Sequence, residues 1–382
     1  MERNRQLRRR RKFLQVTALS GVAMAQNTTT PIPPERRVYL TGDGVTLSPP
    51  EYARLLTKIV DERSVKADTY LEGGAVEQLE QQFAKLLGKE RAIFLPTGTL
   101  ANQLAVRELA AGKHRVIVQQ ESHLYSDEND AAQLLSGLNL IPLASGRATF
   151  TLDEVTHAVE RSAGPPYPAP VGAISIESPV RRTSGEVFDF EEMKKICAYA
   201  REQKIGTHLD GARMFLASAY TGVTAAQYSE HFDTVYVSLY KYFNAPFGAI
   251  LAGPAGTLKT IGALRHPFGS QVYHAWEPAA IALHYLDGFT GRYEAAVRNG
   301  ENLCRLLAGP GRFKVERIEH GSNILRLKLS SGTADILQER LARAGIVIRG
   351  QKNSQQVALQ INETLNRRPA EEIAQEFERA LA

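Results

Sequence analysis

Short apolar runs recur along this chain, and the gap between most of them is long enough for one helix. They fall at 92–95, 115–119, 138–143, 172–176, 205–209, 234–239 and 247–252. The intervening stretches place apolar residues at helical spacing, most clearly Met193, Ile196, Cys197 and Ala200, with Asp189 as the N-cap. Apolar runs with little polar alternation suit strands buried on both faces, and helical crossovers join parallel neighbours. The pattern predicts an α/β fold, a doubly wound, mainly parallel seven-stranded sheet with room for one antiparallel member. Beyond Pro254 the periodicity turns helical, over 258–264, 278–285 and 293–307. A small C-terminal α+β domain follows, with strands expected near 313–317, 323–329, 346–349 and 356–361 and helices at 333–343 and 369–381.

Two of the runs end in charge. Ile205 to Leu209 leads into Asp210-Gly211-Ala212-Arg213, and Thr234 to Leu239 leads into Tyr240-Lys241, 31 positions after Asp210. In open α/β sheets ligands bind beyond the carboxyl ends of the strands, so an acid, a guanidinium and an amine sit where chemistry is done. A lysine there can condense with an aldehyde, and an aspartate can pair with a protonated ring nitrogen. The plain alternative is an Asp–Arg pair capping a helix, with Lys241 on the surface.

The wording around these residues resembles the threonine aldolase and aromatic amino acid β-eliminating lyase family, fold-type I enzymes that use pyridoxal phosphate. His208-Leu209-Asp210-Gly211-Ala212-Arg213 matches its H-x-D-G-A-R, and Pro96-Thr97-Gly98-Thr99-Leu100-Ala101-Asn102 matches its P-[ST]-G-T-x-[AG]-N. The resemblance implies that Lys241 holds pyridoxal 5'-phosphate, that Asp210 pairs with its ring nitrogen, and that Ser238 contributes to the cofactor site. Arg213 would reach the cofactor's phenolic oxygen or the substrate carboxylate. Gly98 and Thr99 would hold the phosphate at a helix start, where backbone N–H groups suit an anion. His123 would stack on the ring and move protons, with Glu128 five residues later on the substrate side. Tyr70 would be lent across a subunit interface, in a homodimer or homotetramer. Read without the family, Thr97 is an ordinary N-cap and His123 a structural hydrogen-bonder at a strand end.

The chain also departs from that pattern. Tyr240 stands where the family has Ser, and Gly42 replaces a Ser of the substrate carboxylate site. The run after Glu177 reads Ser178-Pro179-Val180-Arg181 in place of Asn-Thr-His-Asn, so a second histidine is absent. The family's carboxylate-clamping Arg falls at or beside Ala358. Arg213 is then the remaining anchor unless Arg349 or Arg326 moves in. Arg349, which ends a small-domain strand, is the better candidate. A weak grip on plain threonine follows.

Net charge is +5, yet the first twelve residues hold six arginines and a lysine against one glutamate, so the rest is close to neutral. The basic pI therefore says little about nucleic acid. Arg10-Arg11-Lys12-Phe13-Leu14 followed by a short apolar stretch and Ala23-Met24-Ala25 reads as a twin-arginine export signal, with periplasmic delivery expected and a cytoplasmic location the alternative. The stretch is shorter than the ~20 apolar residues of a membrane span. Two cysteines without metal-ligand spacing give neither a disulfide framework nor a metal site. No G-x-G-x-x-G opens a βαβ unit, which removes the nicotinamide dehydrogenases. The expected organisation is a signal at 1–25, a linker at 26–37, a large cofactor domain with an N-terminal arm at 38–265, and linking helices with the small domain at 266–382. The resemblance implies a lyase cleaving the Cα–Cβ bond of a β-hydroxy-α-amino acid to glycine and an aldehyde. A β-eliminating lyase, an aminotransferase, or a cofactor-binding protein without aldolase activity are the alternatives.

Overall fold

The computed structural model describes residues 32–309 and 311–381, so the export signal read at 1–25 lies outside the described residues. Strand β1 is Val38–Tyr39, followed by helices α1 (Pro49–Glu62) and α2 (Gly74–Leu87). The central sheet then comprises β2 (Arg91–Leu95), β3 (Arg115–Gln119), β4 (Asn139–Leu143), β5 (Val171–Glu177), β6 (Gly206–Asp210), β7 (Thr234–Ser238) and β8 (Ala249–Gly253). Their order is β2-β8-β7-β6-β5-β3-β4, and β8 alone runs antiparallel to its neighbours. Every residue of β5, β7 and β8 is buried, as continuous apolar runs require when helices cover both faces. Each of the seven expected strands is present to within two residues.

Helix α3 (Gly98–Leu109) leaves β2, with the Thr97 hydroxyl accepting from the Leu100 N–H. Helix Phe190–Glu202 is capped by Asp189, whose carboxylate accepts from the Glu192 N–H at 2.7 Å. Its Met193, Ile196, Cys197 and Ala200 are all buried, and burial pushes the Cys197 thiol up to about 12, so this cysteine is core.

The small domain is an antiparallel sheet of β9 (Phe313–Arg317), β10 (Ile324–Leu329), β12 (Arg349–Gly350) and β13 (Gln356–Gln360), in the order β12-β13-β10-β9. Two expectations change here. The strand expected over 346–349 is split, because β11 (Ile346–Val347) leaves the sheet and pairs in parallel with β1. Residues 38–40, assigned above to the large domain, therefore belong to the small one. Val38 and Leu40 are fully buried with Leu337, Ile346 and Phe377 in the C-terminal core. The arm then runs from that core to the lysine loop, where the Val45 N–H meets the Asn244 carboxamide oxygen at 2.6 Å. A Cβ on Gly44 would sit 2.4 Å from the Lys241 carbonyl, so only glycine fits at this crossing.

Candidate active site

Parallel strands deliver their carboxyl ends to one edge of the sheet, and that is where the polar residues gather. Glu177 ends β5 directly beside Asp210 at the end of β6, and Asp210 stands beside Tyr236 of β7. Lys241 follows β7, its ammonium 6.0 Å from the Tyr236 ring centroid and 5.1 Å from that of Tyr240. Gly98 packs so tightly on Tyr236 that a Cβ would lie 1.9 Å from the phenol oxygen. The start of α3 is thereby pressed against the strand that carries the lysine.

Asp210 is held by neutral donors. Its carboxylate accepts from the Asn102 carboxamide at 2.8 Å and from the Ala212 N–H at 3.1 Å, and it is 3% exposed. Asn102 is positioned in turn by His208, whose Nε2 lies 3.0 Å from the Asn102 oxygen while Nδ1 meets the Thr234 hydroxyl at 2.9 Å. Burial drops His208 to about 4, so it is neutral, and the network makes it the Nε2–H tautomer. The other N–H of Asn102 goes to Glu128 at 3.1 Å, and Glu128 meets His123 Nδ1 at 2.8 Å. One amide thus ties the acid at the strand end to the support of the imidazole.

Electrostatics follow from this burial. Lys241 is lowered to about 8, by desolvation first and then by the Arg213 charge, against the pull of Asp210 and Asp43. The Glu128 hydrogen bond raises His123, opposed by partial burial. Burial, and then the charge of Asp210, push Glu177 up to about 7, although its oxygens accept from the His123 and Arg181 N–H groups.

Two adjoining cavities open beside these groups. One of about 670 Å³ is lined by Lys241, Tyr240, Arg213, Asn244 and the arm at Gly42–Leu47. The other, about 830 Å³, shares Gly42, Asp43 and Arg213 with it and extends along the small-domain sheet past Arg326 and Arg349. Arg213 is oriented by Asp43, which accepts its Nε–H at 2.9 Å and leaves the terminal amines for a ligand.

One role given by resemblance changes in the structure. Glu128 cannot reach substrate: its side chain is fully buried and both oxygens are taken, by Asn102, His123 and Gln103. It positions His123. Ser238 is fully buried in β7 and lines neither cavity, while Tyr240, two residues on, lines the first. Tyr70 lines neither cavity; it is 51% exposed and packs edge-on against Tyr273. Arg349 does line the cleft. Asn102, His208, Glu177 and Asp43 were not singled out from the sequence as site residues. For Asn102 a signal existed, since it lies one helical turn after Gly98 and so on the same face of α3.

The residues present fit pyridoxal phosphate. A buried carboxylate bonded only to neutral donors is costly unless a cationic partner completes it, and a protonated ring nitrogen is one. The Gly98 and Thr99 N–H groups at the start of the twelve-residue α3 have no partner among the described residues and face no intrahelical acceptor, which suits a phosphate. A buried amine near 8 suits an aldehyde. Among the described residues no group of three or more His, Cys, Asp or Glu could hold a metal ion.

The β-eliminating lyase family profile matches residues 58–363. The low-specificity L-threonine aldolase of Eremothecium gossypii is 29% identical over 276 residues, 72% of each chain. Among solved structures, a protein of Exiguobacterium sp. 255-15 proposed as an aromatic amino acid β-eliminating lyase/threonine aldolase aligns with TM-score 0.74 at 25% identity, covering 91% of this chain and 97% of its own. A proposed L-allo-threonine aldolase of Listeria monocytogenes EGD-E aligns with TM-score 0.72 at 26% identity and the same coverage.

Proposed function

Because the chain belongs to the β-eliminating lyase family, we propose that it is a pyridoxal-phosphate-dependent lyase cleaving β-hydroxy-α-amino acids to glycine and an aldehyde. The observation that carries this is the meeting of three groups at one sheet edge: the Lys241 amine, the Asp210 carboxylate with only neutral partners, and the open start of α3. The threonine aldolase names of the relatives support the choice of bond.

When bound, the cofactor would supply an aldehyde for the substrate amine and a ring able to take up the electron pair of the Cα–Cβ bond. Lys241 would hold it through its side-chain amine. Asp210 would keep a proton on the ring nitrogen by a charge-assisted hydrogen bond, and Asn102 keeps Asp210 in place. The first-turn N–H groups of Gly98 and Thr99 would hold the phosphate. Arg213, steadied by Asp43, offers its terminal amines to the α-carboxylate. The β-hydroxyl proton would go to the freed Lys241 amine, which burial brings down to about 8, or to His123, which the Glu128 hydrogen bond makes more basic.

Product analysis tests this reading. Purified protein given a panel of β-hydroxy-α-amino acids should release glycine and aldehyde in equal amounts, with plain threonine a poor substrate. A keto acid, with or without ammonia, would replace the aldolase reading by transamination or β-elimination.

Export and assembly belong to the same proposal. The Arg10-Arg11 pair before Phe13-Leu14 and the Ala23-Met24-Ala25 run support twin-arginine export to the periplasm, and the exposed Tyr70–Tyr273 pair supports a homo-oligomer. Among the described residues no helix is long and apolar enough to cross a membrane. Native mass spectrometry of protein from its host decides both: the chain should begin at Gln26, and the mass should be two or four chains. An unprocessed cytoplasmic chain removes the export reading, and a monomer removes the oligomer.

A further inference from the structure

The small-domain sheet places two arginines around the alanine that stands where a clamping arginine was expected. Arg349 pairs with Ala358 across β12–β13, and Ala358 pairs with Arg326 across β13–β10. Directly opposed residues in antiparallel strands project to the same face, with neighbouring Cβ atoms about 5 Å apart. The short Ala358 side chain leaves the space between the two long ones open, and both arginines line the 830 Å³ cleft.

The charges in that cleft do not balance. Arg213 is matched by Asp43, the single acid among the lining residues, and Arg181 shares Asp127 with Arg182, at 2.5 and 2.8 Å. Arg326 reaches only the Ser184 hydroxyl, at 3.4 Å, and the Arg349 guanidinium has no partner among the described residues. Their neighbours Gln351, Ser354, Gln356 and Gln360 are neutral. Two positive charges therefore face the cleft beyond the Arg213–Asp43 pair. Arg213, which borders both cavities, is the guanidinium shared with the Lys241 end, where the α-carboxylate would lie. One α-carboxylate leaves at least one guanidinium unmatched, and an uncharged substrate side chain gains nothing from it. A second acidic group is matched bidentately.

We propose that the natural substrate is a β-hydroxy-α-amino acid whose side chain carries a second anionic group, a carboxylate or a phosphate monoester, held by Arg326 and Arg349. The inference rests on the lyase reading above. The Cα–Cβ bond breaks and its electron pair stays with the Cα fragment, which takes up one proton and leaves as glycine. The β-hydroxyl loses its proton and becomes the carbonyl of an aldehyde that keeps the anionic group. For β-hydroxyaspartate the atoms divide into glycine and glyoxylate with nothing left over.

Two matched pairs test it in the holoenzyme: β-hydroxyaspartate against β-hydroxyasparagine, and the 4-O-phosphate of 4-hydroxythreonine against 4-hydroxythreonine. The acidic member of one pair should have a kcat/KM at least about tenfold higher, the return on one charged hydrogen-bond partner, and that pair identifies the anion. In Arg326→Ala/Arg349→Ala the ratio should fall to within threefold of one, and Arg326→Lys/Arg349→Lys should restore part of it. Because the readout is a ratio, any general loss of activity cancels. A binding arm does not depend on turnover: aspartate or O-phosphoserine should raise the melting temperature of the purified protein more than asparagine or serine. Cleavage of neutral and acidic members at equal rates, with no difference in melting, overturns the inference and leaves the lyase reading standing. An equal loss for both members on removing the two arginines assigns them to the α-carboxylate and overturns it too. If no β-hydroxy amino acid is cleaved, the lyase reading fails, and the melting comparison alone decides whether the cleft selects a second anion.

Discussion

Lys241→Ala abolishes the covalent attachment of cofactor and lowers kcat by at least about 10³-fold, the combined loss of the covalent link and of a positioned proton acceptor. Borohydride should trap a cofactor adduct on Lys241 in the parent protein and none in the variant. The cause is burial. Lys241 lies between Tyr236, Tyr240 and Arg213, and removal from water together with the Arg213 charge brings its amine down to about 8. Only the neutral amine attacks an aldehyde. The rate of cofactor capture by cofactor-free protein should thus climb about tenfold per pH unit below about 7 and level off above about 8. A surface lysine, with its ordinary value of 10.5, would keep climbing past pH 9. A rate still rising there, or an adduct surviving in Lys241→Ala, removes Lys241 from this role.

Asp210→Ala should leave cofactor capture in place and lower kcat about a hundred- to thousand-fold, the usual cost of removing one preorganised electrostatic partner from a reacting group. Asp210→Asn should behave similarly, because the ring nitrogen needs a negative charge and a carboxamide has none. The shape of the site survives in both, since Asn102 keeps its bond to His208 and Glu128. Stopped-flow absorbance for capture and product formation for turnover separate the two effects. Turnover within threefold of the parent in Asp210→Asn would show that the acid does not hold the ring proton.

Substitution at Ala358 has a counterpart in the register of the small-domain sheet, where Arg349 and Arg326 lie on either side of it. A clamping residue deleted on one strand is flanked by arginines on both neighbouring strands. Nothing local to Ala358 announces this. The three residues lie at 326, 349 and 358 and meet only because β13 is the middle strand of the trio.

The sheet itself was legible from the chain. An apolar run buried on both faces has a length and composition that no surface segment shares, so β5, β6 and β7 and their charged ends could be placed from residue types alone. Asp210 and Lys241 stood out for the same reason, as charges immediately after such runs. Hydrogen bonds between distant segments left no such mark. The β1–β11 pairing joins residues about three hundred positions apart, and two-residue strands carry no periodicity to read. The Thr234–His208–Asn102 chain depends on the register of β6 against β7 and on how α3 packs over them. Glu128, five residues after His123, reads as a substrate ligand in the sequence, and in the fold Asn102 and Gln103 enclose it. Periodicity and strand ends record what each segment buries on its own account, and those the sequence determined by itself. Which side chains meet, and which charges are left without a partner, was decided only when the segments packed together.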